Sequence, residues 1–284
     1  MTTAQVPSPN MNEANVKPIP KIIHYCWFGN KPIPEQLQAY INSWRIHCPS
    51  WEIRLWSEAN FDVSSHPFVE SAYDQKKYAY VSDYVRALAL YEYGGVYFDT
   101  DVEVKRPIDT FCQHQAFSGF EKIGLPFSSA IWGSIPKHSL SKKILSYYQD
   151  KTVYDATTEQ PNTVWIAKIL EDHFHIDCAK DQLQIGDDGK NSIHIYPSTH
   201  FCLDLPEHYT THHFSGSWLE ETNSTYKSYV HTQYFLRKIL TDSTSDLSSK
   251  DNLKFIAASM SIAKILKLLR YRIKLLIQQR RKSS

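Results

Sequence analysis

The sequence predicts an α/β fold around a mostly parallel sheet, and three observations carry that reading. Residues 19–29, 34–47 and 51–56 read as strand, helix and strand, the order of a right-handed crossover between parallel neighbours. A second helical pattern over residues 82–93 ends at Gly94-Gly95 and gives way to an apolar run, Val96-Tyr97-Phe98. Short strand-like and helical stretches then alternate as far as Pro197. At 284 residues the chain can bury a sizeable core.

Taken in order, residues 1–18 mix Pro, Asn, Thr and Gln with few apolar anchors and read as a flexible leader. Residues 19–29 form a buried first strand, and the loop after such a strand often holds a nucleotide in α/β proteins. Trp27 stands at that end, where it reads either as core or as a ring for a base to stack on. Pro34 opens a helix whose Leu37, Tyr40, Ile41 and Trp44 share a face. Residues 66–78 form a polar helix. In the helix that follows, Ser82 is placed to cap and Asp83 and Arg86, three apart, share a face. On an exposed helix such a pair contributes little. Gly94-Gly95 ends the helix.

Beyond the apolar run, Val102-Glu103-Val104 alternates until Pro107. Residues 117–121 and 129–133 read as short strands with small residues, suited to close approach by a ligand. Helices over 136–148 and 161–173, a strand over 193–197 and a polar strand end over 210–218 follow. Residues 226–240 predict another helix, 241–250 a linker, and 253–280 a basic helix. The domain reading is a leader (1–18), one α/β domain (19–240), and a linker with a basic amphipathic helix (241–284).

Composition narrows the partners. Eight Lys or Arg and no acid fall in residues 261–284, which leaves the rest of the chain at −7 against a total of +1. An acidic body does not suit nucleic acid, which favours basic grooves. The five cysteines are scattered without a Cys-x-x-Cys pair, a pattern of reduced thiols rather than a disulfide frame. The 18 Tyr and 7 Trp serve a core or sugar and base stacking equally well. No basic-then-apolar signal opens the chain, and no apolar run is long enough to span a membrane.

The chemistry centres on Asp99-Thr100-Asp101. On a regular strand the two carboxylates share one face, and paired carboxylates at a strand's open end suit a hard divalent cation. An isolated Asp-x-Asp is most often only an acidic turn. Here it follows Asp83, Arg86 and the Gly-Gly break, and His213 offers an imidazole able to complete a metal sphere.

Residues 19–29, the block Ala79-Tyr80-Val81-Ser82-Asp83-Tyr84-Val85-Arg86, and the run from Tyr91 through Asp101 together resemble the Asp-x-Asp sugar transferases of glycosyltransferase family 32. That family includes bacterial capsule and lipopolysaccharide transferases, and the clostridial glucosylating toxins share the arrangement distantly. The resemblance covers roughly residues 19–220. It implies a GT-A fold, a Rossmann-like sheet whose strand ends hold a nucleotide sugar and Mn²⁺ or Mg²⁺. By resemblance, Trp27 stacks on the base, Asp83 and Arg86 orient the donor sugar, and Tyr97 lies among the donor contacts. Asp99 touches ribose or sugar, or reaches the ion through water, and Asp101 coordinates it directly. The segment His213-Phe214-Ser215-Gly216-Ser217-Trp218 is similar to a late His-Phe-x-Gly segment in which the histidine is a metal ligand, so His213 is preferred over His212. Ser217 and Trp218 then cover the diphosphate. Ser129-Ala130-Ile131 and Gln160-Pro161-Asn162 depart from the family's Asn-Ala-Ile and Thr-Gly-Pro, and both departures bear on the acceptor.

The expected reaction is retaining transfer of a hexose, from a UDP-sugar in the first instance, to a glycan or lipid-linked oligosaccharide in cell-surface polysaccharide or lipooligosaccharide synthesis. Two alternatives stand beside it: a toxin-like transferase acting on protein, and a non-catalytic, membrane-associated binding protein. In the tail, Lys264, Lys267, Arg270, Lys274 and Arg281 line one side of a helical wheel, and Ile262, Ile265, Leu266, Leu269, Ile273 and Leu276 the other. That pattern fits docking of residues 253–284 on an anionic membrane, with the enzyme peripheral on the cytoplasmic face. It also fits packing on the body or a dimer contact.

Overall fold

A computed structural model describes residues 17–122, 124–203 and 208–215, with Leu266, Leu269 and Arg270 of the tail. Those three tail residues are helical. Ser217, Trp218, the 226–240 helix, the 241–250 linker, nearly all of the leader and the rest of the basic helix lie outside the described residues. The chain divides into two units, Met1–Val230 and His231–Ser284.

The first unit is an α/β sandwich. Its elements in chain order are β1 (Ile22–Cys26), α1 (Glu35–His47), β2 (Glu52–Trp56), α2 (Pro67–Asp74), α3 (Tyr78–Tyr93), β3 (Gly95–Phe98), β4 (Val102–Val104), β5 (Ala116–Gly119), β6 (Ile131–Ser134), α4 (Ser139–Tyr148), α5 (Asn162–Phe174), β7 (Gln184–Asp187), β8 (Ser192–Tyr196), α6 (Ser198–Phe201) and β9 (Thr210–His212). Seven strands form one sheet in the order β2-β1-β3-β6-β5-β8-β7. β2, β1 and β3 are parallel, β6 runs antiparallel between β3 and β5, β8 is parallel to β5, and β7 closes the far edge antiparallel. Five strands therefore share a direction, as a mostly parallel Rossmann-like sheet requires. β4 and β9 form a separate two-stranded ribbon.

The β1-α1-β2 unit is the crossover expected from the sequence, and β3 on the other side of β1 makes a second parallel neighbour. Apolar residues cover both faces of the sheet, as parallel strands need. On one face, Tyr97 and Trp132 join Val85, Ala89 and Leu90 of α3 and Leu140 and Ile144 of α4. On the other, Ile23, Val96, Phe98 and Ile131 pack with Ile41 and Trp44 of α1. All four residues of β3 are buried, as are those of its neighbours β6 and β5 in the interior of the sheet.

One local difference from the sequence reading matters. α3 starts at Tyr78, so Ser82 lies inside the helix, where its hydroxyl donates to the Tyr78 carbonyl at 3.0 Å instead of capping. The first four helical positions, Tyr78 to Val81, carry no residue of the usual capping type, so the start signal fell on the first Ser within the pattern. Gly94 and Gly95 do break the helix as expected, with φ of +64° and +105°. A Cβ on Gly94 would lie 2.7 Å from Pro136 Cδ, and one on Gly95 2.6 Å from the Ile22 carbonyl. Only glycine lets α3 turn back into the sheet at this point.

Candidate functional site

β3 ends at Phe98, and the aspartates follow in a turn rather than on the strand. The Asp99 amide donates to the Ala130 carbonyl at 2.9 Å, and the Val102 amide donates back to the Asp99 carbonyl at 3.0 Å. The turn replaces strand alternation, yet it still leaves both carboxylates on one site.

Asp99 is held from α3 and β3. Arg86 reaches Asp99 Oδ1 at 3.2 Å and Asp83 Oδ1 at 3.1 Å, and the Tyr97 hydroxyl donates to Asp99 Oδ1 at 3.0 Å. The guanidinium also donates to the Ser129 carbonyl at 2.8 Å and lies 4.5 Å from the centre of the Tyr97 ring. Arg86 is thus a buried bridge between two carboxylates, not the exposed i,i+3 pair that helix spacing alone suggests. Asp83 gains one partner that sequence reading did not find: Asn162 Nδ2, in the first turn of α5, donates to its Oδ1 at 2.6 Å. Burial raises the Asp83 carboxyl to about 6 against the pull of Arg86. Burial raises Asp99 too, and Asp101 adds to the rise while Arg86 opposes it. Tyr97 is 1% exposed, so it acts on the site through Asp99.

Asp101 is held from the ribbon. The Ser215 amide donates to Asp101 Oδ2 at 2.7 Å, the His213 amide to the Asp101 carbonyl at 3.0 Å, and His212 Nε2 lies 3.4 Å from Asp101 Oδ1. Burial works to raise Asp101, but the His212 ring and the Ser215 amide hold it well below the usual carboxylate range. Burial disfavours the imidazolium of His212, and Asp101 outweighs it, so that histidine is raised.

Asp99, Asp101 and His212 each offer one ligand atom, all within 4.8 Å of one another. His213, preferred from the sequence, is not in this group. β9 pairs with β4 in the register Val102↔His212 and Glu103↔Thr211, so alternate side chains leave the ribbon on opposite faces. His212 goes to the aspartates. His213 goes the other way, where its Nε2 donates to Glu103 Oε2 at 2.9 Å and its ring stacks on Tyr40 at 4.2 Å. Two adjacent histidines at a strand end differ only in parity, and parity is set by a register that no local pattern reveals.

Trp27 follows β1 at its C-terminal end, partly exposed, with Nε1 donating to the Lys31 carbonyl at 2.5 Å. Its loop is pinned where Glu58 Oε1 accepts from the Gly29 amide at 2.6 Å and from the Tyr73 hydroxyl at 2.8 Å. Asp83 and Arg86 line a small pocket with Trp132, Tyr148, Asn162 and Trp165. The buried Trp132 indole N–H has no partner among the described residues.

Residues 34–118 match the family described as a glycosyltransferase sugar-binding region containing a DXD motif. Inositol phosphoceramide mannosyltransferase 3 of Schizosaccharomyces pombe (strain 972 / ATCC 24843) is 31% identical over 140 residues, which are 43% of this chain and 39% of the relative. Inositol phosphoceramide mannosyltransferase 1 of the same organism is 31% identical over 133 residues, covering 42% of this chain and 40% of the relative. The chain thus spans about two fifths of the length of these curated relatives. Among solved structures, the PaToxG glycosyltransferase is similar at a TM-score of 0.44 and 17% identity, covering 55% of this chain and 69% of that one. The galactosyltransferase LgtC with donor and acceptor sugar analogs is similar at a TM-score of 0.36 and 13% identity, covering 76% of this chain and 95% of that one. The matched segment contains Asp83, Arg86, Asp99 and Asp101, the residues that carry the resemblance in the sequence. Residues 34–118 are thus similar to a glycosyltransferase sugar-binding region containing a DXD motif, and Asp99-Thr100-Asp101 is the Asp-x-Asp tripeptide within the matched segment.

Proposed function

We propose that the chain is a retaining, metal-dependent glycosyltransferase that moves a hexose from a nucleoside diphosphate sugar to a hydroxyl acceptor. The observation that carries this reading is the convergence of Asp99, Asp101 and His212 beside the Asp83–Arg86 pair. Two carboxylates and an imidazole suit Mn²⁺, with Mg²⁺ second because it prefers oxygen throughout. The His212 ring supports the fit, with Nε2 3.4 Å from Asp101 Oδ1 and Nδ1 buried without a partner among the described residues. When bound, such an ion neutralises charge on a departing diphosphate.

The chain's own residues do the rest. Asp101 stays ionised, fixed by the Ser215 amide through Oδ2, and Oδ1 faces His212. Asp99 has Oδ1 engaged by Arg86 and Tyr97, which leaves Oδ2 as the oxygen for an ion or its water. Asp83, Arg86 and Asn162 surround the place of the donor sugar, and Trp27 offers its ring to the base. A diphosphate leaving group needs no side-chain acid. The bond at the sugar breaks through an oxocarbenium-like state, and the departing phosphate takes the acceptor proton on the same face. Ser217 and Trp218 cover the diphosphate.

UDP-hexose is the first donor to test. The names of the fungal relatives favour a second reading, with a mannosyl donor and a lipid headgroup as acceptor. A thermal-shift screen of UDP-hexoses and GDP-mannose, with and without Mn²⁺, separates them. The correct donor raises the melting temperature by mass action, and no shift with any nucleotide sugar contradicts the reading.

No helix among the described residues is long and apolar enough to cross a membrane. The basic tail is the proposed contact to an anionic membrane, peripheral on the cytoplasmic face. Removal of residues 253–284 should then abolish binding to anionic vesicles; unchanged binding counts against it.

A further inference from the structure

A histidine that ligates a metal ordinarily has its other ring nitrogen tied to a carboxylate, carbonyl or water, which fixes the ring. For His212, no protein group among the described residues makes that tie: its Nδ1 is buried without a partner there. Its ring leans on Phe214 at 3.9 Å between centres, and Phe214 itself sits at φ +48°. His212 also contacts Asp101 Oδ1, 3.4 Å from Nε2, and the Cys202 carbonyl, to which its amide donates at 3.1 Å.

The adjacent residue is held far more firmly. His213 is stacked on Tyr40 of α1, with planes 8° apart, and its Nε2 donates to Glu103 of β4. Glu103 is in turn paired with Lys105 at 2.7 Å. α1 and β4 are themselves joined: Trp44 Nε1 donates to the Val102 carbonyl at 2.7 Å, and the Val104 amide donates to Ser43 Oγ at 2.9 Å. The ring of His213 is therefore anchored to two elements that are anchored to each other. Its amide is fixed on the Asp101 carbonyl at the same time.

We infer that Tyr40 and Glu103 form a clamp on His213 that positions His212 for the ion. With His213 fixed on one face of the ribbon, strand alternation places His212 on the other, against the aspartates. Tyr40 and Glu103 are positioning residues, acting through the backbone of residues 212–213. This inference rests on the metal reading proposed above and extends it to α1.

The test is Mn²⁺ binding to the full chain, followed by loss of the free-ion EPR signal, with the melting temperature recorded for each variant. Glu103→Ala and Tyr40→Ala should weaken Mn²⁺ binding about tenfold or more, the range for outer partners of a metal site. Glu103→Gln and Tyr40→Phe keep the acceptor and the ring, and should stay within about twofold of the unaltered chain. The Gln variant also separates the clamp from the mere loss of a nearby negative charge. Tyr40→Leu serves if an alanine variant does not fold. Ala variants that bind Mn²⁺ as the unaltered chain does, at whatever melting temperature, overturn the clamp and leave the metal reading standing. No Mn²⁺ binding by the unaltered chain, or full binding by Asp101→Asn, overturns the metal reading and the clamp with it.

Discussion

Asp99 and Asp101 stand two residues apart, yet their surroundings are of different kinds. Asp99 is served mainly by Arg86 and Tyr97, from the helix and strand that lead into it. Asp101 is served by His212 and Ser215, which reach it through a two-stranded ribbon closed more than a hundred residues later. The first side is a buried ion network whose parts lie on one continuous stretch. The second is a backbone clamp, and its side chains are aimed by register. Charge fixes one carboxylate and strand geometry fixes the other, so the two sides should fail differently.

The largest effect is expected where the two sides meet. Asp101→Asn should lower kcat/KM at least about 100-fold, the scale of losing one preorganised charge-stabilising group, with the fold intact by melting temperature. Retained turnover would remove Asp101 from the site. Arg86→Met attacks the other side and should act on stability first. It leaves Asp83 and Asp99 without their shared cation in buried surroundings, for a loss of about 3 kcal/mol in denaturant unfolding. A variant as stable as the unaltered chain would mean that the bridge is dispensable.

On the ribbon side, His212→Ala should raise the Kd for Mn²⁺ on the order of 100-fold, and His213→Ala only about tenfold. The reverse ranking would restore His213 as the ligand.

A pH dependence tests the Asp83 side separately. Burial raises the folded Asp83 carboxyl from 3.8 to about 6. Between those values the folded chain binds a proton that the unfolded chain has released. The contribution to stability is thus present below about pH 4 and lost as pH rises through about 6. Asp83→Asn does not titrate, so its melting temperature relative to the unaltered chain should climb across that window. A flat difference would show that Asp83 does not change charge there.

The contrast between the two sides also explains what could be read from the sequence. The helix from Tyr78, its glycine break, the buried strand Gly95–Phe98 and the aspartates are contiguous, so one unbroken stretch carries the family resemblance that implied a shared site for Asp83, Arg86, Asp99 and Asp101. Even there, the expected strand alternation gave way to a turn, because the Asp99 amide bonds to Ala130 on another segment. Arg86 looked like a weak surface pair because helix spacing carries no information on burial. His212 and His213 could not be told apart without the register of β4 on β9. Asn162 stands in the sequence only as part of a departure from the family pattern. Its hydrogen bond to Asp83 exists because α5 packs beside α4, a tertiary fact with no local signature.

Donor binding with and without Mn²⁺ bears most directly on the claim that these two sides form one metal-assisted sugar-transfer centre. Calorimetric titration of the nucleotide sugar identified by thermal shift should show affinity tightened about tenfold or more by Mn²⁺ in the unaltered chain, a difference of about 1.4 kcal/mol. Asp101→Asn should show no such gain. Equal affinity with and without the ion in the unaltered chain, or an undiminished gain in Asp101→Asn, would contradict the account.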